Sequence, residues 1–319
     1  MKRTELEAFL AVASLRSFSA AAAQLKLTQP AVSKRVAALE TGLGAQLFDR
    51  IGKRVHLTTA GSALLIEAPK VLSALSDAER AIADLSGAPA GRLRVATSHH
   101  IGLHRLAPIL RSYTRTYPEV KLDLRFEDSE DAHDLVSNGQ VELAVVTLTD
   151  DAAKTMRPNT NLPTRRAAEK IATPVPPFRE EVIWIDRLVF VVARDHPLVQ
   201  EAEPTLALLA QQAAILPGAK TYTGRIVTAL FQSAGLALEP ALSTNYLETV
   251  RMLVDAGLGW SMLPERLCEG LHRLDLDDRA VRHLGLVINP RRNPSAAAKA
   301  FAETVRSFAD PEITRETSA

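Results

Sequence analysis

Residues 17–40 constrain this chain more than any other segment. Their composition predicts two short helices joined by a tight turn. Ala20 to Leu25 is a strong helix former by intrinsic propensity, and Ser17 or Ser19 can cap it. A second helix can open at Thr28, with Pro30 in its first turn, where a missing N–H breaks no bond. Val32, Val36 and Leu39 then recur at i, i+4 and i+7 and should pack inward. Gln29, Ala31, Ser33, Lys34 and Arg35 are left facing outward. Glutamine can pair with adenine, lysine with guanine, and a small alanine can approach a thymine methyl. The pattern predicts a DNA-binding helix-turn-helix. A solvated three-helix domain with ordinary surface charge is the plainer alternative.

The flanking residues extend the same reading. Thr4-Glu5-Leu6-Glu7 has capping-box form and opens a helix whose Leu6, Phe9, Leu10 and Ala13 form an apolar stripe. Gly42 and Gly44 end the recognition helix, and Leu47 and Phe48 return to the core. Arg50 to Leu57 reads as a basic hairpin, the wing of a winged helix. Residues 1–60 hold nine Lys/Arg against four Asp/Glu, a net of +5; the whole chain is +1, so the remainder carries −4. Basic charge is thus concentrated where phosphate contacts would lie.

These residues resemble the amino-terminal domain of the LysR-type transcriptional regulators. The resemblance is carried by Thr-Gln-Pro-Ala-Val-Ser at Thr28–Ser33, by Leu-Phe-Asp-Arg at Leu47–Arg50, and by Thr-Thr-Ala-Gly at Thr58–Gly61, where that family begins a long linker helix. It runs nearly the full chain, and the first 65 residues are its specific part. It implies that Gln29, Pro30, Ala31, Ser33 and Lys34 meet base edges or nearby backbone. Ser19, Thr28, Arg35 and Arg50 belong to the same expected interface. Lys53 and Arg54 are implied to approach the minor groove and phosphates.

At 319 residues the chain is too long for one ordinary core, so two or three domains are expected. The divisions read as a winged helix-turn-helix at 1–58, a linker and dimerisation helix with its hinge at 59–91, and an effector-binding domain at 92–319. A single Cys268 excludes an intramolecular disulfide and a multi-cysteine zinc site, and fits a reducing cytosol. No apolar run approaches the ~20 residues of a membrane span. Met1-Lys2-Arg3 leads into Thr4, Glu5 and Glu7 rather than an apolar core, so it does not read as a signal peptide. A cytoplasmic protein is expected.

From Thr59 to Leu85 the residues Leu64, Ala68, Val71, Leu75, Ala78, Ile82 and Leu85 alternate spacings of four and three, the seam of a coiled-coil partner surface. Leu64, Val71, Leu75 and Ile82 are the expected dimer contacts, pointing to a homodimer or homotetramer. Pro69 should kink or split this helix, since it removes one backbone bond and crowds the preceding turn. Residues 86–91 read as a hinge.

Beyond the hinge the chain alternates strand and helix, an α/β pattern. Strands are predicted at Leu93–Ala96, Val120–Phe126, Val141–Thr147, Leu188–Ala193, Ala213–Leu216 and Trp260–Leu263. Helices are predicted at Gly102–Tyr117, Ala132–Ser137, Thr223–Ala234, Tyr246–Ala256 and Ala296–Phe308. The resemblance implies two α/β subdomains with two crossovers, sandwiching a small ligand as periplasmic binding proteins do. Asp151 to Arg179 interrupts the pattern with five prolines and six cations and is expected to be a mobile insertion. A basic flap or an added DNA or partner contact is the functional alternative.

Open α/β sheets bind ligands beyond strand ends, where helix N-termini supply free N–H groups. Ser98, His99 and His100 follow the first effector strand, Thr147 and Thr149 follow another, and Thr221 and Thr223 open a helix. Hydroxyls with helix N-termini suit a small oxyanion or carboxylate. Thr147 and Thr223-Gly224-Arg225 resemble the sulfate-sensing cysteine-biosynthesis regulators within the family. His99 and His100 depart from that pattern and leave room for a bulkier or carboxylate ligand. His100 and His104 have a spacing that could bind zinc. No HExxH glutamate is present and Cys268 is distant, so no metal or cofactor is expected. Ser98 lacks a Gly-x-Ser-x-Gly elbow and an oriented acid, so catalytic residues are not expected either. A small-ligand hydrolase or metal-dependent enzyme is the alternative. The expected partners are double-stranded DNA, a small-molecule effector and a second copy of the chain, with RNA polymerase a further candidate and no membrane.

Overall fold

The computed structural model describes residues 1–51, 54–83, 88–149, 178–276, 280–311 and 313. They fall into two compact units, Met1–Leu85 with Asn138–Gln140, and Ser86–Ser137 with Val141–Ala319. The division is close to the predicted end of the linker. Residues 151–177 of the expected insertion and 86–87 of the expected hinge lie outside the described residues.

The first unit runs α1 (Arg3–Leu15), α2 (Phe18–Leu25), α3 (Gln29–Leu43), β1 (Phe48–Ile51), β2 (Arg54–Leu57) and α4 (Thr59–Ala83). The inward faces are those the spacing predicts. Leu6, Phe9, Val12, Phe18, Val32, Val36, Leu39, Leu47 and Phe48 form one buried cluster, with Phe48 against Phe9 at 5.3 Å and edge-on to Phe18 at 5.8 Å. Of the two candidate caps on α2, Ser17 acts: its Oγ accepts the Ala20 N–H at 3.2 Å. The turn to α3 passes through Lys26 in the left-handed region, φ 55°. A non-glycine there costs roughly 1–2 kcal/mol, which the packed core on either side can offset. The expected capping box falls two residues early. The N-cap is Lys2 rather than Thr4, and the Glu5 carboxylate accepts the Lys2 N–H at 2.7 Å.

The start of α4 explains the Thr-Thr-Ala-Gly motif. Thr58 Oγ1 accepts the Gly61 N–H at 2.9 Å and donates to Gln46 O at 2.7 Å. A Cβ on residue 61 would lie 2.1 Å from the Leu47 carbonyl oxygen, so only glycine lets the helix cross the hairpin there. Two expectations for α4 are corrected. Of the kink or split expected at Pro69, the split does not occur: the helix continues as one 25-residue element. The seam also divides: Leu64, Ala68 and Val71 pack on the unit's own core, and Arg3 holds Glu79 at 2.7 Å, tying α1 to α4. Leu75 and Ile82 remain 42% and 71% exposed. That tertiary packing is what stabilises a helix through a proline.

The second unit has four buried clusters, two in each of two lobes. β3 (Gly91–Thr97) lies parallel to β4 (Val120–Phe126) and β5 (Leu143–Thr147). Between β3 and β4 come α5 (His99–Ile101), a π-helical turn (Gly102–Leu106) and α6 (Ala107–Thr116), where one continuous helix was predicted; α7 (Ser129–Ser137) precedes β5. The long β6 (Arg179–Val192) follows, then α8 (Leu206–Leu209), β7 (Ile215–Leu216), α9 (Tyr222–Ser233), β8 (Leu242–Ser243), α10 (Leu247–Asp255), β9 (Ser261–Pro264), β10 (His272–Arg273), β11 (Val281–Ile288) and α11 (Ala296–Arg306).

The strand order β10-β6-β11-β5-β3-β4, with β9 also on β6, shows how the lobes connect. The first half of β6 pairs with β11 in one lobe, and Leu188–Val191 pairs with β9 in the other. One crossover is therefore β6 itself, and the other is the return from β10 to β11. Leu93, Val145, Leu286, Tyr113 and Phe301 pack in the first lobe; Phe190, Phe231, Trp260 and Met262 pack in the second. The antiparallel β11 lies between β5 and β6 and was missing from the predicted elements.

Candidate functional site

On the first unit, the recognition helix α3 presents the predicted polar face. Thr28, Gln29, Pro30 and Lys34 are exposed, as is Ser19 on α2, while Ala31, Ser33 and Arg35 are half-buried. Thr28 is the backbone N-cap but its side chain makes no cap bond, so its hydroxyl is not consumed by the helix. Gln29 Nε2 donates to Ser33 Oγ at 3.1 Å, one turn apart, which pre-orders the glutamine on the outer face. Behind this face Glu40 accepts the Leu47 N–H at 2.8 Å, fixing the hairpin against α3. β1 and β2 pair antiparallel in register from Phe48↔Leu57 to Ile51↔Arg54. Lys53, and the side chains of Arg50 and Arg54, lie outside the described residues.

In the second unit a cavity of about 50 Å³ opens between the lobes. At roughly 10–15 Å³ per water on this measure, it holds a few waters or one small ligand. Six of the seven predicted effector residues line it: Ser98, His99, His100, Thr147, Thr221 and Thr223, joined by Asp128, Glu130, Tyr222, Tyr246 and Arg282. The N-termini of three helices meet there, through Ser129 and Glu130 of α7, Tyr222 and Thr223 of α9, and Leu247 of α10. Thr221 caps α9 by accepting the Gly224 N–H at 3.0 Å. A Cβ on residue 224 would meet Gly218 O at 2.2 Å, so the glycine of Thr-Gly-Arg lets α9 close on the preceding loop. Arg225 of that motif does not line the cavity; it lies over the Tyr222 ring at 4.5 Å.

Thr149, the seventh residue, is elsewhere. Its N–H donates to Glu180 Oε1 at 2.9 Å and its hydroxyl donates to the same carboxylate, which His133 Nε2 also meets at 2.8 Å. Burial alone would raise Glu180, but the bonds from His133 and Thr149 outweigh it and hold its pKa below the ordinary value. Thr149 thus serves a buried carboxylate rather than the cavity.

The cavity floor rests on charges that the residue spacing did not reveal. Asp186 of β6 is buried and bonded to Arg282 of β11 at 2.8 Å and to Arg105 at 3.0 Å. Arg282 faces Asp186 across the strand pair and reaches Thr223 Oγ1 at 3.3 Å. Burial alone would raise Asp186, yet His100 and Arg282 outweigh it and hold the carboxyl far below the usual carboxylate range. His100 Nδ1 and His104 Nε2 lie 3.2 and 3.0 Å from the same oxygen of Glu248, in the first turn of α10. A third donor therefore stands beside the i, i+4 histidine pair. Glu130 accepts the Tyr222 N–H at the N-terminus of α9, where a bound anion would find its donor. A signal for the buried triad was available in the sequence: an acid within the apolar run 182–192 and an arginine within 281–288 each need a partner.

Comparison with known proteins agrees with this architecture. The first unit matches the description "Bacterial regulatory helix-turn-helix protein, lysR family" over residues 4–62, and "LysR substrate binding domain" matches residues 86–160 and 165–310. An uncharacterized HTH-type transcriptional regulator of Azotobacter vinelandii is 58% identical over 108 residues, 34% of this chain and 75% of that protein. The RuBisCO operon transcriptional regulator of Allochromatium vinosum is 27% identical over 96% of this chain and 95% of its own length. The transcriptional activator CmpR of Synechocystis is 28% identical over 81% of this chain and 77% of its own. Among solved structures, CbnR aligns with a TM-score of 0.66 at 21% identity, covering 97% of this chain and all of that one; it has also been solved with its target DNA. None of the described helices is long and apolar enough to cross a membrane. A winged helix-turn-helix on a long helix, followed by a two-lobed ligand-binding unit, places the chain in the LysR family of bacterial transcriptional regulators.

Proposed function

We propose that the effector is a small anion, a carboxylate by preference, bound in the interlobe cavity, and that its binding alters how a self-associated chain holds DNA in the cytoplasm. The observation that carries the ligand reading is the meeting of three helix N-termini over a buried Arg282. Partial positive charge and free N–H groups at such termini favour anions. Glu130 deepens the argument. Its carboxylate takes the Tyr222 N–H, so a chain carboxylate occupies the position that a ligand carboxylate would take on displacing it. Sulfate is the second reading, favoured by Thr147 and by Thr223-Gly224-Arg225; the absence of Arg225 from the cavity lining, beside Tyr222 rather than facing in, weighs against it.

Calorimetric titration of the full chain with a panel of small carboxylates and with sulfate tests this. Thr223→Val removes a hydroxyl while keeping shape, and should weaken binding several-fold with folding intact, since one hydrogen bond is worth about 1 kcal/mol. Glu130→Gln should tighten binding, because the ligand no longer displaces a charge. No binding by any anion, or affinity unchanged in both variants, would show the cavity to be misassigned.

Self-association rests on the half of the α4 seam that its own unit leaves uncovered. Leu75 and Ile82 are exposed there, on the same helix. Leu75→Asp would bury an unpaired charge in a helix pairing, so sedimentation of the full chain should show loss of the dimer or a much raised dissociation constant. An unchanged distribution would mean that other surfaces hold the subunits. The DNA-contact residues are proposed to be Gln29, Ser33 and Lys34 for bases, with Arg35, Arg50, Lys53 and Arg54 toward phosphates.

A further inference from the structure

We infer that His100, His104 and Glu248 form a divalent transition-metal site that clips the two lobes of the effector unit together. This stands independently of the anion reading. The three donors are a buried His100 Nδ1, an exposed His104 Nε2 and a half-buried Glu248 Oε1, all within 4.8 Å of one another. The separations of His100 Nδ1 and His104 Nε2 from Glu248 Oε1 are 3.2 and 3.0 Å. A tetrahedral ion with bonds of 2.0–2.1 Å sets its ligands about 3.3 Å apart, so both separations to Glu248 already suit an ion, and the two imidazoles, within 4.8 Å of one another, have to close on it. Two imidazoles and a carboxylate suit zinc, nickel or cobalt rather than the oxygen-seeking magnesium or calcium.

Two further features separate this cluster from a chance pair of histidine–glutamate hydrogen bonds. The outer nitrogen of His100, Nε2, lies 3.4 Å from Asp186 Oδ2. That is the carboxylate–histidine–metal arrangement, which orients the ring and frees Nδ1 for the ion. Asp186 is itself fixed by Arg105 and Arg282. His104, for its part, sits in the π-helical turn, a rare distortion that recurs at functional sites.

The position gives such an ion a role. His100 is followed by Ile101 of the first lobe's core, and Glu248 is preceded by Leu247, packed with strand residues of the second lobe. A metal bound to both would favour the closed arrangement of the lobes. Three protein donors leave a fourth position for water or a ligand atom, next to a cavity that His100 also lines.

The test uses the full-length chain stripped with chelator, titrated with Co2+ and Zn2+. Saturable uptake of one ion per chain, with the visible absorption of four-coordinate cobalt that zinc displaces, is the expected result. His104→Ala and Glu248→Gln should each lower cobalt affinity at least roughly 100-fold, beyond what the loss of an outer partner costs. The metal-free variants should unfold at the wild-type temperature, and the second variant serves if the first does not fold. No saturable binding by the wild type, or unchanged affinity in the folded variants, would overturn the proposal. Anion titration of the metal-free chain reports separately on the cavity.

Discussion

Asp186→Ala should destabilise the effector unit by about 3–5 kcal/mol, the usual consequence of removing one partner of a buried ion pair. The side chains of Asp186, Arg282 and Arg105 are 2%, 4% and 7% exposed, so the variant leaves two guanidinium groups buried without their shared counter-charge. Against a total stability of roughly 5–15 kcal/mol, that is enough to unfold much of the population at modest denaturant. Trp184 and Trp260, the chain's two tryptophans, are both buried in this unit, so tryptophan emission follows its unfolding and ignores the DNA-binding unit. The urea midpoint should fall sharply, and adding Arg282→Met should recover part of the loss. Because the folded pKa of Asp186 is depressed, its stabilisation is present above the ordinary value of 3.8 and is lost as pH falls below it. The wild type should therefore lose more stability than Asp186→Ala does on acidification below that value. Midpoints that coincide would show the triad to be dispensable.

The second large effect is on DNA. Gln29 and Lys34 stand exposed on α3, and Gln29 is held toward its outer face by Ser33. Each good base contact is worth about 1–3 kcal/mol, so Gln29→Ala with Lys34→Ala should cost roughly 2–6 kcal/mol of specific binding. Neither side chain belongs to the buried core of this unit, so folding should be preserved. Replacing Lys53 and Arg54 should behave differently, weakening all sequences alike and flattening the salt dependence. Fluorescence anisotropy on short duplexes at fixed salt measures both.

The recognition helix was legible because Val32, Val36 and Leu39 set its buried face and the polar residues are what remain. The cavity was legible for a related reason: Ser98, Thr147, Thr221 and Thr223 each follow a strand or open a helix, and ligands gather at such ends. Tertiary partners were not. The spacing that nominated Leu64 and Val71 for a second subunit is equally satisfied by α1 and the hairpin of their own unit. β11 was absent from the predicted elements, and the counter-charge of its Arg282 lies 96 residues away. Glu248 is 148 residues from His100, beyond the reach of any local motif. Thr149 has the same local setting as Thr147, and only the fold gives it to Glu180.

Binding of the wild-type, full-length chain to the DNA upstream of its own gene, against a shuffled duplex of equal composition, tests the central account most directly. A specific site should be held at least roughly 1000-fold more tightly than the shuffled duplex at the same salt, and the Gln29→Ala, Lys34→Ala variant should lose most of that ratio. Equal affinity of the wild type for both duplexes, or a ratio untouched in the folded double variant, would contradict α3 as the reader of sequence.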